Sequence, residues 1–207
     1  MPAHPPTRLV EPVPAPGGRA AGGFTLIEVL IVIVIMGLVA TFAIPRLNLE
    51  GYRVNSAVRA VTASLTYAQR LAVSLQSDVR VSFDLPNRRL RMHEDTNNDG
   101  LINGTERVTY TNLGEGVTFG IGAAPAVTYT NGVAGPATFN IVGTQAGLPM
   151  IVFRRDGTAS ETCGFYLNTT KSMAANRTSE VRAGEIIRSS GRIIWYTYAT
   201  GTWTRGN

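Results

Sequence analysis

The feature that most constrains this chain is a long apolar run, residues 24–44, which contains one charged residue, Glu28. As an α-helix, these 21 residues extend over roughly 30 Å, about the thickness of the hydrocarbon core of a bilayer. A charged side chain inside such a helix is unfavourable by roughly 2.5 kcal/mol or more, so it usually has a function and a partner. The run therefore predicts a membrane-spanning segment whose carboxylate has a specific role.

Three interpretations of this run compete. A permanent transmembrane anchor explains the length of the run but not the carboxylate. A conventional signal peptide would be cut after the run, where Thr41-Phe42-Ala43 is a poor cleavage site and Pro45 follows closely. The third is a cut before the run, because residues 1–23 are rich in Pro, Ala and Gly and are expected to be disordered and removable.

The order of residues at the start of the run favours the third interpretation. It is Gly23-Phe24-Thr25-Leu26-Ile27-Glu28, and Pro45 follows 21 residues after Phe24. This order resembles the type IV prepilin motif, in which a dedicated peptidase cuts after the glycine and methylates the new N-terminal phenylalanine. The resemblance implies cleavage between Gly23 and Phe24, and a leader of residues 1–23.

The resemblance also implies a role for Glu28. In pilin-like filaments, the glutamate at this position is thought to neutralise the terminal amine of a neighbouring subunit within the apolar filament core. A buried charge is tolerated when it is paired in this way. The alternative is that Glu28 reaches the membrane interface with its carboxylate in water.

The apolar pattern continues beyond Pro45, which predicts a bend in the helix. The spacing of the next apolar residues places them on one face of a helix, so we expect a helix over residues 24–76 whose second half packs on a globular domain. A coiled-coil dimer is the alternative partner for this face. The residues of the predicted stripe are Val54, Val58, Val61, Leu65, Ala68, Ala72 and Leu75.

From residue 77 onward the apolar pattern changes to alternation with frequent Gly, Asn and Pro. This pattern predicts an antiparallel sheet or a small β-sandwich over residues 77–207, and therefore an α+β fold class. Residues 120–136 and 169–183 are interpreted as surface loops. The predicted strands are 79–85, 89–93, 107–111, 117–119, 137–142, 150–154, 164–168, 184–188 and 192–198.

Two stretches of this β domain are similar to the GspH/FimT group of pilin-like proteins: Ile151-Val-Phe-Arg-Arg-Asp-Gly-Thr158 and Ile187-Arg-Ser-Ser-Gly-Arg-Ile-Ile194. Members are minor pseudopilins of type II secretion or minor pilins of type IV pili. The resemblance implies a single-pass inner-membrane protein with a periplasmic C-terminal domain. Its implied partners are prepilin peptidase, an inner-membrane assembly platform and the other pseudopilins or pilins of a filament. We expect the type II secretion role, with a FimT-like minor pilin as the alternative.

One polar stretch, residues 95–106, matches the twelve-residue pattern of calcium-binding loops. Calcium prefers six to eight hard oxygen ligands, and Gly100 permits the sharp turn that such a loop needs. Because both flanks are predicted strands, we expect a structural calcium loop that closes a hairpin, and a plain polar turn is the alternative. The predicted ligands are Asp95, Asn97, Asp99, Leu101, Asn103 and Glu106.

The rest of the sequence contains few residues in patterns typical of catalytic or metal-binding sites. The single cysteine, Cys163, cannot form an intrachain disulfide and is expected to be buried. His4 and His93 are isolated, which is not the pattern of a zinc site. The sequence contains no nucleophile–base pattern and no phosphate-binding Gly-Lys loop, so we expect no enzyme.

DNA is a weaker candidate partner. Some FimT-like minor pilins bind DNA through a Gly-Arg-x-Arg stretch, and here the second arginine of Gly191-Arg192-Ile193-Ile194 is absent. Arg188, Arg192 and Arg205 remain candidate DNA contacts beside the aromatic residues of segment 195–203, because basic and aromatic groups together suit single-stranded nucleic acid. The alternative for these aromatics is packing within the sheet. The net charge of +5 is a mild excess.

Overall fold

The computed structural model describes residues 23–43, 49–130 and 140–206. The chain forms two compact units, Met1–Leu47 and Asn48–Asn207. The predicted bend at Pro45 and the continuity of a single helix over residues 24–76 lie outside the described residues.

The first unit contains helix α1, Leu26–Ala43, which is apolar except for Glu28, Gly37 and Thr41. The side chains described in this helix are exposed. Among the described residues, the structure contains no helix that is both long and apolar enough to cross a membrane. The last residue of the predicted span, Ile44, lies outside the described residues.

The second unit begins with helix α2, Leu49–Leu75, which buries one stripe of apolar side chains. The prediction of this stripe is confirmed for most of its members, although Val58 is only half-buried and Leu75 is 43% exposed. Leu75 is exposed because the helix ends there, with Gln76 in the left-handed region at φ 55°. The buried stripe consists of Val54, Ala57, Val61, Leu65, Ala68 and Ala72.

Ten strands and a short helix follow α2. The strands are β1 (Asp78–Asp84), β2 (Arg89–Asp95), β3 (Val108–Asn112), β4 (Val117–Phe119), β5 (Thr144–Gln145), β6 (Leu148–Phe153), β7 (Cys163–Thr169), β8 (Arg182–Ile186), β9 (Ile193–Ala199) and β10 (Thr202–Arg205), and helix α3 (Thr170–Ala174) follows β7. They form two five-stranded sheets, in the orders β3-β2-β1-β6-β5 and β10-β9-β8-β7-β4. Each pairing is antiparallel, which confirms the α+β class with an antiparallel β domain.

The two sheets and α2 share one core. Phe83 of β1 lies 5.6 Å from Phe119 of β4 and 5.0 Å from Phe165 of β7, measured between ring centroids. Each of these rings belongs to the same buried cluster as the α2 stripe. The alternation in β1 and β7 therefore directs apolar side chains of both sheets against the helix, where each buried side chain contributes roughly 1.5–3 kcal/mol.

The prediction of a surface loop over residues 120–136 is wrong for its described part. Ile121, Ala124, Val127 and Tyr129 are buried in a second apolar cluster, so residues 121–130 form a strap across the second sheet. The strap approaches closely because Gly164 of β7 has no Cβ, and a Cβ there would overlap the ring of Tyr129. The buried residues lie two or three positions apart, and the frequent Gly, Ala and Pro residues between them led to the prediction of a loop.

Three other predicted elements also differ from the structure. The predicted strand 137–142 is wrong for residues 140–142, which are irregular, while 137–139 lie outside the described residues; the strand that forms nearby is β5. The predicted loop 169–183 contains α3 and the first residues of β8. Strand β10 was not predicted, because its alternation is short and mostly exposed.

Candidate functional site

The N-terminal motif forms a hydrogen-bonded start for α1. The Thr25 amide and hydroxyl each donate to Glu28 Oε2 at 3.2 Å, and the Glu28 amide donates to Thr25 Oγ1 at 3.3 Å. This reciprocal arrangement is a capping box, which satisfies backbone donors that have no partner within the helix. The Glu28 carboxylate therefore has a local role in the isolated chain, which the sequence analysis did not anticipate.

The residues on either side of the predicted cut precede the helix. Phe24 is 85% exposed, and a Cβ built on Gly23 would meet nothing within 4 Å. The fold therefore gives no steric reason for glycine at position 23, and the peptide bond between Gly23 and Phe24 lies in an open segment. A requirement for glycine there has to come from whatever recognises this segment.

The predicted calcium loop closes a hairpin, as expected from its flanks. Strands β2 and β3 pair from Arg89 opposite Asn112 to His93 opposite Val108. Asn98 at φ 57° and Gly100 at φ 79° turn the chain between them. Such left-handed conformations are readily adopted by Asn and Gly, which explains these residue types in the turn.

Three of the predicted ligands converge in this loop. Asp95, Asp99 and Glu106 each place a carboxylate oxygen so that these atoms lie within 4.8 Å of one another. The side chains of Asp95 and Glu106 are almost fully buried. Carboxylate oxygens at this separation are hard ligands that suit a cation such as calcium.

The other predicted ligands point their donors toward Asp99. The side-chain amides of Asn97 and Asn103 donate to Asp99 Oδ2 at 2.8 and 2.9 Å, and the Leu101 amide donates to Asp99 Oδ1 at 2.7 Å. The Leu101 amide and these side chains lower the pKa of Asp99, so this carboxyl stays ionised. Rotation of either asparagine amide by half a turn would present its oxygen in place of its nitrogen.

Two residues outside the loop, Arg80 and His93, contact its carboxylates. Arg80 Nε lies 2.5 Å from Asp95 Oδ2, and His93 Nε2 lies 2.8 Å from Glu106 Oε2. The hydrogen bond from His93 is the main cause that lowers the pKa of Glu106. Through these contacts, two of the three carboxylates have partners within the protein itself.

A buried amide completes this support. Gln145 Nε2 lies 3.0 Å from His93 Nδ1 and 3.1 Å from the carbonyl oxygen of Gly100, so it links β5 to both the histidine and the turn. Sequence reasoning missed Arg80, His93 and Gln145 as parts of this site. The sequence shows Arg80 and His93 as polar residues within two predicted strands of alternating pattern. Only the register of β1 with β2 places these two residues opposite each other.

The three arginines proposed as DNA contacts are not gathered in one place by the structure. Arg188 and Arg192 lie at the turn between β8 and β9, where both are exposed. Arg205 lies on β10 opposite Tyr196. The turn therefore presents two of the three predicted arginines.

The aromatic residues beside these arginines are engaged in packing, which supports the alternative stated for them. Tyr196 is buried and donates its hydroxyl to Glu185 Oε2 at 2.7 Å. Trp195 donates to Thr62 Oγ1 at 2.6 Å, and Trp203 donates to the Pro125 carbonyl at 3.0 Å. These contacts hold the three aromatic side chains within the fold, and DNA binding at the arginines stays a prediction.

The single thiol is buried, as expected. Cys163 is 0% exposed, and burial raises the pKa of its thiol well above the usual range. A protonated, enclosed thiol is inert toward oxidants and metals.

Comparison with known proteins bears directly on the N-terminal segment. Residues 18–44 match the family described as the prokaryotic N-terminal methylation motif. Among curated proteins, none matches the chain.

Three solved structures are similar to part of this chain. The minor pseudopilin EpsH from the type 2 secretion system of Vibrio cholerae shares 15% identity over 71% of this chain and 90% of its own, with a TM-score of 0.37. A crystal structure of the same pseudopilin gives 16% identity, 70% and 97% coverage, and a TM-score of 0.44. The type IV minor pilin FimU of Pseudomonas aeruginosa gives 16% identity, 73% and 92% coverage, and a TM-score of 0.45.

The match of residues 18–44 covers the proposed cut, Phe24, Glu28 and the whole apolar run. It confirms the prepilin-type interpretation of this segment over both alternatives weighed for it. The chain therefore carries a prokaryotic N-terminal methylation motif, and an α+β domain of two antiparallel sheets follows it.

Proposed function

We propose that this protein is a structural subunit of a pilin-like filament, and more specifically a minor pseudopilin of a type II secretion system. The observation that supports this proposal most strongly is the N-terminal methylation motif over residues 18–44, which includes helix α1 up to Ala43. An apolar helix that is exposed on every side requires partners that cover it. The packed helices of a filament core would do so.

Glu28 has a defined part in this proposal. In the free chain its carboxylate accepts hydrogen bonds from Thr25. In the filament it would pair with the terminal amine of Phe24 on a neighbouring subunit, a contact in which both partners are charged. That exchange would set the axial register between subunits.

The proposed location follows from the same segment. The precursor would reside in the inner membrane as a single-pass protein, with residues 49–206 in the periplasm. Prepilin peptidase would cut it between Gly23 and Phe24 and methylate Phe24. An inner-membrane platform would then add the mature protein to a filament of other pseudopilins.

We also propose that the loop of residues 95–106 binds calcium, with Asp95, Asp99 and Glu106 as its acidic ligands. The convergence of these carboxylates supports this proposal. Since Arg80 and His93 already contact two of them, calcium would add stability to a formed hairpin. Extracellular sites of this kind bind calcium at roughly 0.1–1 mM.

The proposed function is tested by crosslinking the mature protein in native membranes, recovering it, and identifying its partners by mass spectrometry. We expect other pseudopilins and components of a secretion platform. Recovery of a major pilin would instead make the protein a type IV minor pilin, and DNA binding at Arg188 and Arg192 would then be tested. Recovery of neither class would contradict the filament proposal.

A further inference from the structure

A groove of about 750 Å³ lies between α2 and the part of the second sheet formed by β8 and β9. Arg59 and Arg70 lie on its helical side, while Arg182 and Trp195 lie on its sheet side. Its volume is in the range of clefts that hold small ligands or short peptide segments, about 300–1,000 Å³. All of these residues belong to the unit Asn48–Asn207.

The helical wall is a second stripe of α2, separate from the buried one. Its spacing of three and four residues keeps it on one face of the helix. Arg59 and Arg70 are eleven residues apart, so they lie roughly 16 Å apart along the helix axis. The residues of this stripe that line the groove are Asn55, Val58, Arg59, Thr62, Ala63, Thr66, Tyr67 and Arg70.

The groove is lined by three arginines, Arg59, Arg70 and Arg182. Within the described part of the chain, no acidic residue lines it, and Arg59, Arg70 and Arg182 form no ion pair. Four other arginines of the same unit do pair with carboxylates: Arg53, Arg80, Arg89 and Arg107.

Arg182 is the least exposed of the three groove arginines. Its guanidinium donates to Asn55 Oδ1 at 3.2 Å and to the carbonyl oxygens of Ser179 and Val181 at 3.0 and 2.9 Å. Burial lowers the pKa of Arg182, and the nearby Glu180 carboxylate only partly opposes this effect. A carboxylate from outside the chain would therefore meet a cation that is already oriented by neutral acceptors.

The floor of the groove is largely apolar, and its main side chain is Trp195. Trp195 is anchored to α2 through its hydrogen bond to Thr62, and its ring meets Phe165 edge-on at 5.4 Å. Half-buried Val58 packs against the same core. Because the ring of Trp195 is already packed, the floor suits an aliphatic side chain better than the stacked bases of a nucleic acid.

We propose that this groove binds an extended acidic peptide segment of a partner protein. About five extended residues span roughly 16 Å, so carboxylates near the two ends of such a segment would reach Arg59 and Arg70. A third carboxylate would pair with Arg182, and an aliphatic residue would contact Val58 and Trp195. This inference goes beyond filament assembly and does not rest on it.

The test uses the full chain in detergent micelles and a fluorescein-labelled peptide, Glu-Asp-Leu-Ile-Asp-Glu, measured by fluorescence anisotropy. We expect saturable binding that weakens with added salt, because exposed charges are screened. Combining Arg59→Gln with Arg70→Gln should weaken binding by at least about tenfold, because the ion pairs at both ends of the peptide are lost. Arg155→Gln is the matched control, an exposed arginine outside the groove, and should bind like the unaltered protein.

A second probe separates the proposal from general charge attraction. The peptide Gln-Asn-Leu-Ile-Asn-Gln should not bind. The proposal is overturned if the acidic peptide does not saturate, if Arg155→Gln weakens binding as much as the groove variant, or if a single-stranded oligonucleotide displaces the peptide at lower concentration. Arg59 and Arg70 are exposed, so circular dichroism should show that both variants remain folded.

Discussion

At the scale of single residues, Glu28 has two separable tasks. In the structure it caps α1 together with Thr25, and in the proposed filament it neutralises a neighbour's amine. Capping is worth roughly 0.5–2 kcal/mol, whereas an unpaired charge in an apolar core costs considerably more. The two tasks therefore predict different outcomes for different substitutions.

We expect Glu28→Ala to be cut normally and then to fail in filament assembly, because the neighbouring terminal amine loses its partner. Thr25→Ala removes the cap but keeps the carboxylate, so it should still assemble. Gly23→Ala supplies the size of the uncut precursor on the same gel. Normal assembly of Glu28→Ala, scored by crosslinking in membranes, would show that the carboxylate acts only as a cap.

At the scale of elements, the β2–β3 hairpin brings three acidic side chains of its loop together. Arg80 and His93 contact the carboxylates from β1 and β2. The loop is therefore held against the first sheet by these two contacts. The expected effect of calcium is additional stability of this hairpin and no change of fold.

Millimolar calcium should raise the melting temperature of the protein in detergent, and Asp99→Ala should abolish the increase because a ligand is lost. Glu115→Gln is the control, since this carboxylate is exposed and lies outside the loop. Magnesium should give a smaller effect, because it demands stricter geometry and fewer protein ligands. An unchanged melting temperature at saturating calcium would leave the loop as a polar turn held by Arg80 and His93.

The strap of residues 121–130 is the second element with a clear structural consequence. Tyr129 occupies the space above Gly164 that a side chain would fill, and the Thr130 hydroxyl donates to buried Glu185 at 2.7 Å. Gly164→Ala should therefore displace the strap and destabilise the protein by about 1–3 kcal/mol, the usual cost of overpacking.

Chemical denaturation measures this difference in the free energy of unfolding. Gly104→Ala is the matched control, because a Cβ at position 104 would meet nothing within 4 Å. Equal stabilities of the two variants would mean that the strap does not pack on β7 as the structure has it.

At the scale of the whole molecule, the chain combines a unit dominated by an exposed apolar helix with a unit that has its own core. In the first unit, the side chains described, those of residues 23–41, are exposed. The proposed membrane and filament environments would each cover that helix in turn, which is consistent with the motif matched by residues 18–44.

If the precursor is a single-pass membrane protein, it should stay in the pellet when membranes are washed with alkaline carbonate. Ile33→Lys combined with Val34→Lys should release it, since each charge near the helix centre costs roughly 2.5–3.5 kcal/mol. Tyr52→Lys is a control at an exposed position of the second unit and should not change the partitioning. Release of the unaltered precursor would place α1 outside the bilayer.

The order of residues alone was enough to identify the N-terminal motif, the α2 stripe and the calcium-like loop. Each of these depends on local spacing, which a linear pattern records directly. Spacing also separated the helical region from the β domain, because side chains repeat every 3.6 residues in a helix and every two in a strand.

Contacts between distant residues were decided only by the tertiary structure. The register of β1 with β2 places Arg80 beside Asp95, the missing side chain of Gly164 admits Tyr129, and α2 meets β9 to form the arginine groove. Each contact joins segments that are far apart along the chain. The periodic pattern of apolar residues describes only neighbours in sequence, so it cannot predict such contacts. Their positions follow from the packing of one core, in which the best fit of all side chains together selects the partners of each.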